Sequence, residues 1–380
     1  MFIFYFLLFV LFSIYNLVIL WLIIGNRKAN DTFNNKPYPV SVIIPIRNGE
    51  ETLSDLIHDL SLQNYHGEFE IILVDDNSDD NSLKIIKNIV KRDNRFKYQT
   101  SNNGTSSLSF KKRALDAGIK IAKNEWLLFT DADCRLSIDW ITGMVGYFHP
   151  ENDYVIGHSY VKGKRGILNI FETIDFLLLL LCARGAANNN YPLACTGQNQ
   201  AYKKSLYHKV GGFTKINYHI QGDDSLFMNI CKIDGNANIV FASNKKCHVH
   251  TDGMKKWVTL FRQRLRWGGD AKVMWKINIY FYFILLGFLM LHVKLIILFL
   301  LSCLSYGDYL LLAQYLLIKF ILELGLYSLG SKYLNNSLNL IHFIVWYVIH
   351  IFYVVLIGLG SFFYKISSWK GRNFIVSNNL

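Results

Sequence analysis

Two aspartates one residue apart, Asp131 and Asp133, follow the apolar run Trp126-Leu127-Leu128-Phe129. On a strand, residues two apart project to the same face. A pair at a strand end can therefore reach one hard divalent ion and the phosphates it carries, although a solvated turn or a helix cap is the better explanation of an Asp-x-Asp standing alone. Acids flank this pair in the chain. Asp75 and Asp76 close the run Phe69-Glu70-Ile71-Ile72-Leu73-Val74, where a carboxylate beside Asn77 and Ser78 suits a base or ribose as hydrogen-bond acceptor. Asp223 and Asp224, after Gln221-Gly222, open a helical pattern through Leu226, Phe227 and Ile230; such acids fit either a catalytic base or the cap and dipole of a helix start. The acidic run from Asp75 is not a helix-loop-helix calcium site, because its sixth position is Asp80 rather than Gly and its twelfth is Ile86 rather than Glu. His248-Val249-His250 offers two imidazoles for ligation, or only two rings on one strand face.

These side chains need a frame to hold them. Val40-Ser41-Val42-Ile43-Ile44-Pro45 reads as a β-branched strand stopped by Pro45, followed by a helical pattern at Leu53, Leu56, Ile57 and Leu60. Helices are also expected through Leu83 to Val90 and from about Phe110 to Ala122. Strands alternating with helices predict a parallel sheet with right-handed crossovers, and ligands then sit beyond the carboxyl ends of the strands. Pro45, Asp75, Asp76, Asp131 and Asp133 all fall there. Past Asp133, the apolar stretch Ile167 to Leu181 carries Glu172 and Asp175 and suits a helix lying on the domain or on a membrane. A Gly-led polar loop, Gly197-Gln198-Asn199-Gln200, follows, then Gly211-Gly212-Phe213.

Composition divides the 380 residues. No charge occurs from Met1 to Asn26, a stretch long enough to cross a bilayer and lacking a basic leader and a small-residue cleavage site, so a retained anchor is expected. Three more spans are expected at Tyr280 to Leu304, Tyr309 to Leu329 and Leu340 to Tyr364. The net charge of +12 does not make a nucleic-acid binder, since the segment from Arg27 to Lys276 mixes 34 Lys and Arg with 26 Asp and Glu. It fits a face apposed to anionic lipid. Met254 to Trp275 sets Trp257, Leu260, Phe261 and Leu265 at helical spacing among Lys255, Lys256, Arg262, Arg264 and Arg266, the profile of an interfacial helix. The six cysteines form no C-x-x-C pair, so neither a zinc nor a disulfide framework is expected. The expected divisions are an anchor at 1–25, a catalytic domain at 38–253, an interface helix at 254–276, a membrane region at 277–366 and a tail at 367–380. Arg27 and Lys28 put the catalytic domain inside by the positive-inside rule, yet three later spans would send the basic tail outside. A re-entrant or interfacial span would remove the conflict, and Lys294 marks the first of the three as the suspect.

In this order the motifs resemble membrane-bound, inverting family-2 glycosyltransferases, the group that includes cellulose, chitin and hyaluronan synthases. The resemblance runs from Val40 to Trp267: Pro45-Ile46-Arg47-Asn48, Val74-Asp75-Asp76, Lys111 to Gly118, Asp131-Ala132-Asp133, Gly197 to Tyr202, Asp223-Asp224 and Gln263-x-x-Arg266-Trp267. It implies an α/β fold of the GT-A type, a Rossmann-like mixed sheet, joined to transmembrane helices. It further implies a nucleotide-sugar site at Pro45, Arg47, Asp75, Asp76, Lys111, Asp131 and Asp133, with Mg²⁺ or Mn²⁺ on Asp131 and Asp133. Gly197, Gln198, Asn199, Gln263, Arg266 and Trp267 would serve the acceptor and diphosphate, and Asp224 or Asp223 the base. Two departures stand out: Asp223-Asp224 replaces the family's Glu-Asp, and Asp116 stands where Asn is usual, which bears on the Lys111 contact. The implied partners are a nucleotide-diphosphate sugar, a lipid-linked or saccharide acceptor and membrane lipids, at a bacterial inner membrane with the catalytic domain cytoplasmic. The same acids would also serve a nucleotidyl- or phosphotransferase, and a degenerate domain would leave a membrane scaffold.

Overall fold

The structure, a computed structural model, describes residues 2–28, 33–163, 166–334, 338–364, 368–369 and 372–373. In chain order the elements are α1 (Phe2–Arg27), β1 (Val40–Ile46), α2 (Leu53–Ser61), β2 (Phe69–Asp75), α3 (Ser82–Arg92), β3 (Phe96–Thr100), α4 (Phe110–Ile121), β4 (Trp126–Phe129), β5 (Arg135–Leu136) and α5 (Trp140–Val145). They continue as β6 (Tyr154–Gly157), β7 (Ser159–Lys162), α6 (Ile167–Asn188), β8 (Gln200–Lys203), α7 (Lys204–Lys209), α8 (Ser225–Ile233), β9 (Ile239–Ala242) and β10 (Val249–Asp252). The helices α9 (Trp257–Gly268), α10 (Ala271–Ile277), α11 (Ile279–Cys303), α12 (Tyr309–Tyr333) and α13 (Leu340–Phe363) complete the chain, apart from short strands at Ser368–Trp369 and Arg372–Asn373. Lys365, Lys370 and most of the tail lie outside the described residues.

Seven strands form one sheet in the order β3-β2-β1-β4-β8-β6-β9. The strands β3, β2, β1 and β4 run parallel, whereas β8 is antiparallel to both β4 and β6, so the sheet is mixed rather than wholly parallel. Side-chain alternation sorts its residues into two cores. Val40, Val42, Ile44, Ile71, Leu73 and Leu128 meet the helix face of α2, with Leu53, Leu56 and Leu60 buried at helical spacing. Ile43, Ile72, Val74, Leu127 and Phe129 point the other way, toward α4 and α6. In α4 the approach is close: a Cβ on Gly118 would lie 2.6 Å from Ile43 Cγ2. The central strand β4 reads as four apolar residues because both of its faces are covered.

Several elements differ from the sequence expectation. Pro45 does not stop β1, which runs on to Ile46; Pro45 stands past the last β1–β4 pair, Ile43 with Phe129, where its missing N–H leaves no rung on that side unfilled. Strand β4 ends at Phe129, so Asp131 and Asp133 are not strand residues. A turn closed by Cys134 N donating to Asp131 O carries them, and Thr52 Oγ1 donates to Ala132 O at 2.8 Å to hold it. The short edge strand β3, Phe-Lys-Tyr-Gln-Thr, buries only Phe96 and was not expected. The helix α6 is longer than the stretch Ile167 to Leu181 and largely buried, crossing α1 so closely that a Cβ on Gly25 would fall 2.0 Å from Gly185 O. The interfacial segment is two helices, α9 and α10, parted at Gly269 and Asp270. Helices α1, α11, α12 and α13 are each long and apolar enough to cross a membrane. Lys294 does not interrupt α11; it lies over the Phe4 ring at 4.5 Å.

Candidate active site

A cavity of about 670 Å³ opens beyond the carboxyl ends of β1 and β4 and runs down between the apolar helices. Pro45, Arg47, Asp76, Lys111, Asp131, Asp133, Gly197, Gln198, Asp223, Asp224, Gln263, Arg266 and Trp267 all line it. Residues scattered over more than 200 positions of sequence thus face one space.

The upper end is built on the strand termini. Arg47 spans them, donating from Nη1 to Asp76 O at 3.0 Å and to Asn77 O, and from Nη2 to Asp79 Oδ2 at 2.9 Å. This fixes the loop that presents Asp76. Asp75, buried like Asp76, lies off the cavity wall, and its Oδ1 accepts from Ser78 N. Of the two acids, Asp76 is the one the cavity meets.

Lys111 and Lys112, consecutive in the first turn of α4, point to different tasks. Lys111 Nζ bridges two carboxylates, Asp131 Oδ1 at 2.7 Å and Asp223 Oδ2 at 2.8 Å. Burial opposes its charge, but those two carboxylates outweigh burial and push the ammonium well above its ordinary range. Gly197 makes room for this contact, since a Cβ there would stand 2.8 Å from Lys111 Nζ. Lys112 is fully buried and gives its protons to the carbonyls of Ile216, His219 and Gln221, on the loop that leads into Asp223. Asp116 leaves Lys111 alone. It accepts from Thr105 N, Thr105 Oγ1 and Tyr207 OH and pairs with Lys120, an all-acceptor role that a carboxylate fills better than an amide.

Asp223 and Asp224 differ in environment. Asp223 is neutralised by Lys111, whereas Asp224 caps α8, with Oδ1 accepting from Ser225 N at 2.6 Å. Burial first, then Asp223 and Asp270, push the Asp224 carboxyl up to about 7, with Lys111 pulling the other way. The left-handed Gly222, at φ +93°, turns the chain into this position. Gln221 locks the loop to α9: its Nε2 donates to Arg266 O, and Arg266 Nη1 donates to its Oε1 at 2.7 Å. Arg264, between Gln263 and Arg266, turns away from the acids, donates through Nε to Asp175 Oδ2 on α6 at 3.1 Å, and lies 4.2 Å from the Trp267 ring centroid.

Asn199 is not a cavity residue. It is fully buried, donates to His158 O and Cys247 O, and accepts from Trp140 Nε1, so it braces β8 against β7 and β10. His250 stacks on Tyr160 and His248 meets His158 edge-on, away from the acids. Lys112, Arg264 and Asp175 carry site geometry that motif reading did not assign. The only sequence signal for the Arg264–Asp175 pair is an acid inside an apolar helix and an extra arginine inside a motif. Asp131 and Asp133, hard oxygen donors on one turn with an ammonium already drawn to Asp131, fit a divalent cation whose other ligands would be phosphate oxygens.

The family model described as "Glycosyl transferase family 2" matches residues 41–213, from β1 to just short of Asp223. The chain is 30% identical over 182 residues to poly-beta-1,6-N-acetyl-D-glucosamine synthase of Staphylococcus epidermidis, covering 45% of this chain and 41% of that one. It is 28% identical over 200 residues to the Staphylococcus aureus (strain COL) protein of the same name, covering 49% and 46%. The matches thus span less than half the length of these curated relatives. Among solved structures, a mannosyltransferase from Pyrobaculum calidifontis, in complex with GDP-Man and Mn²⁺, superposes with a TM-score of 0.62 at 15% identity, covering 94% of this chain and 98% of that one. That likeness is one of fold and extends through the apolar helices. Residues 41–213 thus match a family-2 glycosyltransferase domain, and the likeness to the solved neighbour is one of GT-A fold, joined here to four apolar helices of membrane-spanning length among the described residues.

Proposed function

We propose that the protein moves a sugar from a nucleotide-diphosphate donor to a hydroxyl of a membrane-held acceptor, with inversion, forming a β-glycosidic bond from an α-linked donor. The observation that carries this reading is Asp224, a half-buried carboxylate of raised proton affinity, beside Asp223, Lys111 and Asp131 in one cavity. Asp76 offers the acceptor for the nucleotide's base or ribose, and Arg47 keeps its loop in place. Asp131 and Asp133 would hold Mg²⁺ or Mn²⁺, which when bound neutralises diphosphate charge and so improves the leaving group. Arg266 and Lys111 add fixed positive charge at the same end. Asp224 takes the proton of the attacking hydroxyl as the new C–O bond forms and the bond to the diphosphate breaks. No enzyme-bound sugar is required, so one base suffices.

The names of the similar proteins support a sugar donor and a glycan-containing product: the staphylococcal relative is named for a polysaccharide, and the archaeal neighbour holds GDP-Man and Mn²⁺. The decisive experiment replaces Asp224 by Asn in the purified full chain. Transfer should be lost with nucleotide binding retained, and the wild-type by-product should be a nucleoside diphosphate. Pyrophosphate release, or full transfer by the variant, would sink the assignment.

For placement, the reading is an integral membrane protein with the catalytic domain on the cytoplasmic side, where Arg27 and Lys28 stand. The C-terminal ends of the consecutive helices α12 and α13 both contact elements of the catalytic side, which supports treating α13, rather than α11, as an oblique interfacial helix. Tyr333, at the end of α12, lies 4.2 Å from Arg184, which donates to Asn26 O and Ser243 Oγ. At the C-terminal end of α13, Gly360 and Ser361 sit against Leu265 and Gly268 of α9.

A further inference from the structure

A second cavity, of about 370 Å³, lies across α6 from the first. Thr173 and Leu177, four apart, turn one face of that helix to it, while Asp175 and Leu179, also four apart, turn another to the active-site cavity. One wall is the small sheet β5-β10-β7, which the transfer chemistry does not use. There His250 pairs with Tyr160 on one side and Arg135 on the other, and residues two apart share a face. His158, Tyr160 and Lys162 therefore stand beside His248, His250 and Asp252. The opposite wall includes Leu334, the first residue past α12, and Leu177 packs so closely on that helix that a Cβ on Gly330 would lie 3.0 Å from Leu177 Cδ2. The cavity thus opens where a helix of membrane-spanning length ends against the catalytic domain. Ile138, next to the lining residue Ser137, and Tyr160 are left exposed at this edge, as residues that meet a membrane surface are.

The lining suits an anion. None of its residues is acidic, and Lys245, exposed on the cavity, has no acidic partner among the described residues. Its neighbour Lys246 lies off the cavity, 3.7 Å from Asp139. Arg135 is held by Asp59 and Asp55, and Asp252 does not reach the lining. Burial pushes the His248 imidazole down to about 4 and lowers that of His250, with Lys162 and Arg135 adding to the second effect. Both rings are then neutral near pH 7 and offer an N–H rather than a charge. The His250 ring stacks on Tyr160 at 5.3 Å between centroids, and neither its nitrogens nor the Tyr160 hydroxyl hydrogen-bonds another described residue. A metal ion does not fit: no three His, Cys, Asp or Glu side chains among the described residues come together to hold one, and Lys245 repels it.

We propose that this cavity takes the phosphate of an anionic phospholipid from the leaflet at which α12 ends. Lys245 pairs with the phosphate, His250 and Tyr160 donate to it, and Leu177 and Leu334 lie against the glycerol and the first acyl carbons. A soluble phosphate ester carries the same charge and oxygens; the apolar wall and the position at the end of α12 favour the lipid. The site stands apart from the transferase reading and does not depend on it.

The test uses the full chain in phosphatidylcholine nanodiscs doped with spin-labelled phosphatidylglycerol or spin-labelled phosphatidylcholine, the bound fraction being read from the spectrum. Phosphatidylglycerol should bind about fivefold more tightly, as one lysine at a membrane surface supplies. Lys245→Gln should remove most of that preference, and His250→Phe, which keeps a stacking ring, should lower it about threefold. Lys246→Gln makes the same change of charge one residue away, outside the cavity, and should leave the preference nearly intact. Thermal unfolding of each variant reports that it is folded. Equal losses in the two lysine variants would mean a diffuse surface charge and overturn the site, as would equal binding of the two lipids by the wild-type chain. Glycerol 3-phosphate added to the aqueous phase should not displace the lipid; displacement would assign the cavity to a soluble phosphate ester and overturn the lipid assignment.

Discussion

Asp223 and Asp224 are chemically identical and adjacent, yet one is tied to an ammonium and the other is not. With its carboxyl pushed up to about 7, Asp224 keeps its proton in mildly acidic solution and then cannot accept another. The transfer rate should therefore rise about tenfold per pH unit below 7 and level off above it, as measured by nucleoside-diphosphate release. Replacing Lys111 by Met should raise that acid limb, because Lys111, ahead of the Ser225 N–H, pulls the Asp224 value down; an unmoved limb would assign it to another residue. The neighbouring lysine serves position rather than chemistry. Lys112→Met removes the donors that hold the carbonyls of Ile216, His219 and Gln221. The turnover number should fall about tenfold or more with nucleotide affinity little changed, and Lys112→Arg should restore part of it.

Among elements, α9 is the joint between the two halves of the molecule. One of its arginines, Arg266, grips the base loop through Gln221, and the other, Arg264, is buried against Asp175 of α6. A buried charge whose partner is removed costs about 3–5 kcal/mol, so Arg264→Met should lower the stability of the full chain by that order. The double change Arg264→Met with Asp175→Leu should recover much of the loss, since two apolar groups replace two desolvated charges. Thermal unfolding of the four proteins in the cycle measures it; additive losses would show that the pair is not coupled. The interfacial pattern of this segment was readable from Trp257, Leu260, Phe261 and Leu265, as was the helical face of α2 at Leu53, Leu56 and Leu60. The edge strand β3 was not, because five residues with only Phe96 buried are too short and too polar to stand out, even though Phe96 and Tyr98 alternate with polar residues.

At the scale of the whole molecule, four apolar helices and one mixed sheet share a single cavity, so the membrane arrangement bears on the chemistry. If α13 lies obliquely, with both ends toward the catalytic side, the tail returns to the cytoplasm and the conflict over basic residues vanishes. A green fluorescent protein fused after Leu380 should fluoresce, and an alkaline phosphatase fused there should be inactive. An active phosphatase would mean that α13 crosses.

The linear chain determined the kinds of element, the apolar spans and the acids that matter, because those follow from periodicity, composition and the local rules that end a strand or cap a helix. It placed Asp131, Asp133, Asp223, Asp224, Gln263, Arg266 and Trp267 in one series and implied a common site. Only the tertiary structure decided which of two neighbours faces the cavity, Asp76 rather than Asp75 and Gln198 rather than Asn199, and which arginine reaches the loop of Asp223, Arg266 rather than Arg264. It also decided that Asp131 and Asp133 ride on a turn, that β8 runs against its neighbours, and that Asp224 differs from Asp223. Each of these depends on contacts between residues far apart in sequence, and no local pattern encodes which carbonyl, ammonium or carboxylate the fold will bring alongside.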